Sequence, residues 1–98
     1  MGDALSITVR FVGSLRNIIG KSKITLNIDE KITVKELIGL IVEEFPQAKR
    51  TLIDPELEDP RPNALIIVNN REISVLKGLE TALKDGDEVV LVPVSHGG

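Results

Sequence analysis

The segment Val89-Val90-Leu91-Val92-Pro93-Val94-Ser95-His96-Gly97-Gly98 organises the chain. Its opening run of β-branched and aliphatic residues predicts a buried strand. Proline cannot donate to a ladder, so Pro93 is expected to mark the point where the strand leaves its sheet. A short polar stretch follows and closes on two glycines. The expectation is a rigid strand that presents a flexible tail, residues 94–98, with a free carboxylate on Gly98.

A chain of 98 residues predicts one domain, 1–98, able to bury roughly 60–70% of its unfolded surface. Aromatic residues make up 2% of it, carried by Phe11 and Phe45, so Val, Ile and Leu must fill the core. A net charge of −3 with so few rings argues against nucleic acid, which wants a basic face and stacking platforms. No apolar run reaches 18 residues and no signal-peptide pattern opens the chain, which predicts no membrane association and a cytoplasmic location. There is no cysteine, which excludes disulfides, thiolate metal sites and a cysteine nucleophile. His96 is the single histidine, so a serine triad and a multi-histidine metal site are excluded too. The sequence therefore predicts no catalytic side chains, no metal and no bound cofactor.

Upstream, Ile7, Val9 and Phe11 alternate with Thr8 and Arg10, the pattern of a strand with one buried face. Val12 shares the phase of Thr8 and Arg10 and should point outward. Leu15 to Ile19 predicts a turn of helix ending at Gly20. Ile24, Leu26 and Ile28 alternate again and should pair antiparallel with the first strand. Thr33 and Glu36 form a capping box, with Ile32 and Leu37 placed for a hydrophobic staple. From there Val34, Leu37, Ile38, Ile41 and Phe45 draw one apolar stripe along a helix that Pro46 closes.

Thr51-Leu52-Ile53 predicts a short packed element, and Asp54 to Pro62 a solvated acidic loop. Ala64 to Val68 is continuously apolar and predicts a buried strand. Asn69-Asn70 should turn the chain tightly into Arg71-Glu72-Ile73. A helical turn is expected between Leu76 and Leu83, and Lys84-Asp85-Gly86-Asp87 is a turn that launches the last strand. The acids Asp85, Asp87 and Glu88 are turn and solubility residues in this reading.

One long amphipathic helix among four to five short strands predicts an α+β fold, a mixed sheet wrapped on that helix. This is the β-grasp arrangement of ubiquitin, in which the first and last strands lie parallel at the centre. If Val89 and Leu91 face the helix, Val90 and Val92 face away beside Val12. An apolar group on a solvent face predicts a docking patch of Val12, Val90, Val92 and Val94.

Val68-Asn69-Asn70, Leu83-Lys84-Asp85-Gly86-Asp87-Glu88-Val89 and the terminal Gly97-Gly98 together resemble the MoaD/ThiS class of sulfur carriers. Phe11-Val12-Gly13-Ser14-Leu15-Arg16 is similar to that class's first strand and following Leu-Arg. Molybdopterin-synthase small subunits typically end Pro-Pro-Val-x-Gly-Gly, whereas this chain carries Pro93-Val94-Ser95-His96-Gly97-Gly98. Its closing His-Gly-Gly is instead similar to the eukaryotic ubiquitin-related modifier, and the archaeal small modifier proteins occupy the same middle ground. The resemblance implies a carrier that is a substrate, not a catalyst, monomeric when free. A ubiquitin-activating-type (MoeB/ThiF-like) adenylating enzyme would use ATP to activate Gly98. Implied acceptors are the molybdopterin synthase large subunit or a tRNA-thiolating enzyme. A modifier would instead join Gly98 to lysines of target proteins, and a plain β-grasp binding module would do neither.

The chemistry gives the tail a physical reason. A carboxylate is a poor electrophile; an acyl adenylate has a good leaving group, and sulfur or an amine can then attack. Glycines 97 and 98 permit close backbone approach inside a partner's cleft. Six residues from Pro93 reach roughly 20 Å. Ser95 and His96 are expected to be contact residues of that tail, with His96 titrating near 6.5 if it also moves a proton.

Overall fold

Residues 4–94 are described by the structure, a computed structural model. Strand β1, Leu5–Phe11, buries Ile7, Val9 and Phe11 and leaves Arg10 exposed. After Gly13 comes a short helix, α1 (Ser14–Ile19), which ends at Gly20 in the left-handed region with φ +85°. Strand β2, Lys23–Ile28, returns antiparallel to β1 and pairs with it from Leu5↔Ile28 to Arg10↔Lys23.

Helix α2, Val34–Glu44, starts where the capping box places it. The Glu36 amide donates to Thr33 Oγ1 at 3.2 Å, and the Thr33 amide donates to Glu36 Oε1 at 3.0 Å. These two bonds satisfy donors that the first helical turn would otherwise strand. Val34, Leu37, Ile38 and Ile41 are buried, and the helix ends at Phe45, ahead of Pro46. A 3₁₀ turn (Pro46–Ala48) and helix α3 (Lys49–Leu52) follow. The short packed element expected at Thr51–Ile53 is thus this helix, which starts two residues earlier and ends one residue earlier.

Strand β3 (Ala64–Val68) pairs antiparallel with the last strand, β5 (Glu88–Pro93). Between them Asn69 and Asn70 take positive φ, 48° and 70°, and turn the chain into the two-residue strand β4, Arg71–Glu72. The helical turn expected between Leu76 and Leu83 is the 3₁₀ segment Gly78–Glu80. The five-stranded sheet has the order β2-β1-β5-β3-β4, with β1 and β5 parallel at its centre. The expected mixed sheet on one main helix is therefore present, and its core fills the space between that sheet and α2.

β5 ends at Pro93, as expected from the proline. Pro93 pairs with Ala64, and the Val94 amide still donates to the Asn63 carbonyl at 2.8 Å. Amides alternate along a strand, so the missing N–H of Pro93 faces the opposite side, where β1 has already ended at Phe11. Proline is tolerated because the chain it would have bonded has turned away. One local reading needs correction: β3 is buried on one face only, with Ala64, Ile66 and Val68 covered and Leu65 41% exposed. Antiparallel pairing sends alternate residues to opposite faces, and a single main helix covers just one of them.

Candidate functional site

The sheet face turned away from α2 divides into a polar half and an apolar half. On β1 and β2 it carries Thr8 with Thr25 and Arg10 with Lys23, set side by side by the register. On β5 and β3 it carries Val90 beside Ile67 and Val92 beside Leu65. The strand phase read from the sequence is the one observed: Val89 and Leu91 are fully buried, and Val90 and Val92 are half-buried on the other face.

Two further valines extend this stripe. Val12 lies one residue past β1, 40% exposed, held by its amide on the Leu91 carbonyl at 3.2 Å. Val94 lies one residue past β5, 45% exposed, held by Asn63 as described above. Val12, Val90, Val92 and Val94 are the residues expected to form a docking patch, and the register sets Leu65 and Ile67 beside Val92 and Val90. The sequence signal for Leu65 and Ile67 was parity: in an antiparallel neighbour of β5, every second residue of an apolar run must share the face of Val90 and Val92.

Charged groups border the stripe. Arg10 Nε donates to Glu88 Oε2 at 2.7 Å across the parallel β1–β5 pair. Both side chains are substantially exposed, so the pair adds little stability; its effect is to fix charge at the polar margin. Glu72 pairs with Ile67 on the opposite margin.

The stripe ends at the root of the tail. There Gly13, Ser14, Arg50, Thr51, Asn63 and Pro93 line an open groove of about 550 Å³. Gly13 sits at φ +63°, and a Cβ built on it would rest 3.5 Å from Pro93 Cγ. The positive φ, more than lack of space, is what asks for glycine there. Ser95, His96, Gly97 and Gly98 lie outside the described residues.

The acids that close the final turn are occupied. Asp85 Oδ1 accepts the Ser6 amide at 2.7 Å, and Asp87 Oδ2 accepts the Lys84 amide at 2.7 Å. Asn69 Nδ2 donates to Asp87 Oδ1 at 2.8 Å, while Asn69 Oδ1 accepts the Glu88 amide at 2.9 Å. With Gly86 at φ +87°, this turn locks β1, β3 and β5 into register. The carboxylates are consumed by the turn, as the sequence reading expected.

The acidic loop is built in the same way. Asp54 Oδ1 accepts the Glu56 and Leu57 amides, both at 2.9 Å, and the Asp54 amide bonds back to the Asp59 carbonyl at 3.0 Å. Arg61 donates its amide at 2.8 Å and its Nε at 3.0 Å to Asp59, and this guanidinium holds the Asp59 carboxyl below its ordinary range. Among the described residues no group of three or more His, Cys, Asp or Glu side chains is placed to hold a metal ion. No helix among them is long and apolar enough to cross a membrane.

A five-stranded mixed sheet with a central parallel pair, one main helix beneath it and an apolar stripe on its free face defines a β-grasp protein of the ubiquitin class. The chain belongs to the ThiS family, whose model matches residues 9–98. It is 30% identical to small archaeal modifier protein 3 of Haloferax volcanii over 95 residues, 96% of this chain and all of that protein. A proposed sulfur carrier protein of Archaeoglobus fulgidus is 40% identical over 76 residues, 74% of this chain and 83% of that one. The solution structure of small archaeal modifier protein 1 from Methanosarcina acetivorans superposes with a TM-score of 0.81 at 27% identity. That alignment covers 99% of this chain and all of the other.

Proposed function

We propose that this protein is a ubiquitin-like sulfur carrier whose Gly98 carboxyl is activated and thiolated by partner enzymes. The carrying observation is the apolar stripe that runs across β3 and β5 to the root of the Gly-Gly tail. It offers a partner a firm grip next to the segment whose end must enter that partner's active site.

The chemistry falls to the partner. The Gly98 carboxylate attacks the α-phosphorus of ATP, pyrophosphate leaves, and an acyl adenylate is formed. A persulfide sulfur then attacks the acyl carbon and AMP departs. A second thiol cleaves the S–S bond, becomes disulfide-bonded itself, and leaves a thiocarboxylate on Gly98. The carrier contributes docking and reach; it is a substrate of a ubiquitin-activating-type adenylating enzyme and holds no cofactor. Its missing cysteine fits, because the carried sulfur sits on the main chain.

A second reading, conjugation through Gly98 to lysines of other proteins, is favoured by the closing His96-Gly97-Gly98 and by the modifier relatives. Intact mass after incubation with the cognate activating enzyme, ATP and a sulfur donor separates the two. Replacement of one oxygen by sulfur supports the carrier, and adducts of higher mass support the modifier. An unchanged mass with an enzyme that is active on another carrier refutes both.

A further inference from the structure

Strand β2 forms one edge of the sheet. Its even-numbered residues direct their backbone groups to β1: the Phe11 amide donates to the Ser22 carbonyl at 2.9 Å, and Val9↔Ile24, Ile7↔Leu26 and Leu5↔Ile28 continue that alternation. The amides and carbonyls of Lys23, Thr25 and Asn27 therefore point outward. Among the described residues no second strand pairs with this edge. An edge of this length is a template for another strand unless it is blunted, and the charge of Lys23 is the blunting residue within it.

The side chains repeat the message. Ile24, Leu26 and Ile28 face the core side, yet all three are only half-buried. Ile28 shares a shallow depression with Ile32 and the exposed Leu40 of α2. One more strand would complete the cover of these residues.

We infer that the strand added is β2 of a second copy, antiparallel, with Thr25 facing Thr25 across a two-fold axis. The sequence is self-complementary in that register. Ile24 meets the partner's Leu26 on the core side, and Lys23 meets the partner's Asn27 on the outer side. Just past the strand, Lys21 of each copy meets Asp29 of the other, so two opposite-charge pairs bracket the contact. A two-residue shift one way sets Lys21 against the partner's Lys31, a like-charge clash. A shift the other way leaves Ile28 opposite Gly20 with nothing to pack on. A one-residue slip turns every aliphatic to the wrong face.

The contact is isologous, as a two-fold dimer requires. A six-residue strand pair buries less than the about 1,200 Å² of a standard interface, so the association is weak and concentration dependent. The axis stands perpendicular to the sheet, which leaves both apolar stripes on the same side of one ten-stranded sheet. The two β5 strands run antiparallel, about 24 Å apart at the usual strand spacing, with their tails leaving at opposite ends. The inference is independent of the carrier reading, since it concerns an edge two strands away from β5.

Sedimentation of the full chain from about 10 μM to 1 mM at low salt, beside amide NMR over the same range, tests it. The expected result is a rising dimer fraction, with concentration-dependent shifts and slowed exchange at the Lys23, Thr25 and Asn27 amides and little change at Ile24 and Leu26. Thr25→Lys sets two ammonium groups face to face at an exposed site; it should retain the wild-type melting profile and weaken the dimer at least tenfold. Lys21→Asp should weaken it several-fold, and Lys21→Asp with Asp29→Lys should restore it. A chain that stays monomeric throughout, a dimer untouched by Thr25→Lys, or shifts centred on Val90 and Val92 would overturn the inference. So would edge amides that respond only to an added unrelated peptide.

Discussion

Replacing Val92 with aspartate separates docking from folding. Val92 is half-buried, next to Leu65 across the β3–β5 ladder, and its side chain faces away from α2. In the free protein the change loses strand preference worth up to about 1 kcal/mol and a cross-strand contact worth about 0.2–1 kcal/mol. The sum, about 1–2 kcal/mol, is well inside the roughly 5–15 kcal/mol by which domains of this size are folded. At about 4–8 °C per kcal/mol, the melting temperature should fall by roughly 5–15 °C and the transition stay cooperative. In a complex the same carboxylate would be pressed against apolar surface without a partner. Burying a polar group unpaired costs about 2–7 kcal/mol, so binding should weaken at least about thirtyfold. Leu91→Ala is the mirror image. Leu91 is fully buried, so its truncation should cost about 2–5 kcal/mol of stability and leave the docking face alone. Urea melts give the first quantity, and the KM for the carrier in ATP–pyrophosphate exchange with the cognate activating enzyme gives the second. A Val92→Asp chain that unfolds, or that is activated with the wild-type KM, refutes the assignment of this face.

Deleting Gly98, or adding one residue beyond it, should leave the melting temperature unchanged and abolish pyrophosphate exchange. The reacting carbon moves by about 3.3–3.6 Å, and even 1 Å costs on the order of a hundredfold in an aligned reaction. Asn69→Ala removes both the Asp87 and the Glu88 bonds and takes away a side chain that tolerates φ +48°; a loss of about 1–3 kcal/mol is expected in urea melts. Thr33→Ala breaks the capping box and should cost about 0.5–2 kcal/mol without altering activation. The Asp59 carboxyl is lowered by its hydrogen bond from Arg61, so its stabilising contribution is present above the ordinary carboxylate value near 3.8 and lost as pH falls through the depressed one. Asp59→Asn should therefore be less stable than wild type at neutral pH, with the difference closing in acid melts below about pH 4.

The elements that could be read in the sequence are those where local chemistry and tertiary demand agree. The Thr33 capping box, the period of α2, the Asn-Asn turn and the Asp-Gly-Asp turn each have a local reason to form, and each forms. The outward phase of Val90 and Val92 was legible because β5 sits between two neighbours, and it follows from which residues must face the helix. Leu65 and Ile67 were missed because five consecutive apolar residues look the same whether one face or both are covered; parity assigns them only once the pairing of β3 with β5 is known. Pro93 was legible as the end of β5, but the reason it is tolerated in the ladder was not. Its cost depends on which side its missing amide faces, and that is decided by where β1 stops, more than eighty positions earlier in the chain.

The position of β5 also determines how the domain answers a pull. It shares four register pairs with β1 and five with β3, and its far end continues directly into the segment proposed to be threaded into an enzyme. The hydrogen bonds on both flanks run across the strand, so tension applied along the tail loads them together in shear. They cannot open one after another, as the rungs of an end-loaded hairpin would. A partner that draws Gly98 into its cleft therefore meets a stopper: the threaded length is set at Val94, and the fold behind it resists being unravelled by the force that positions its end.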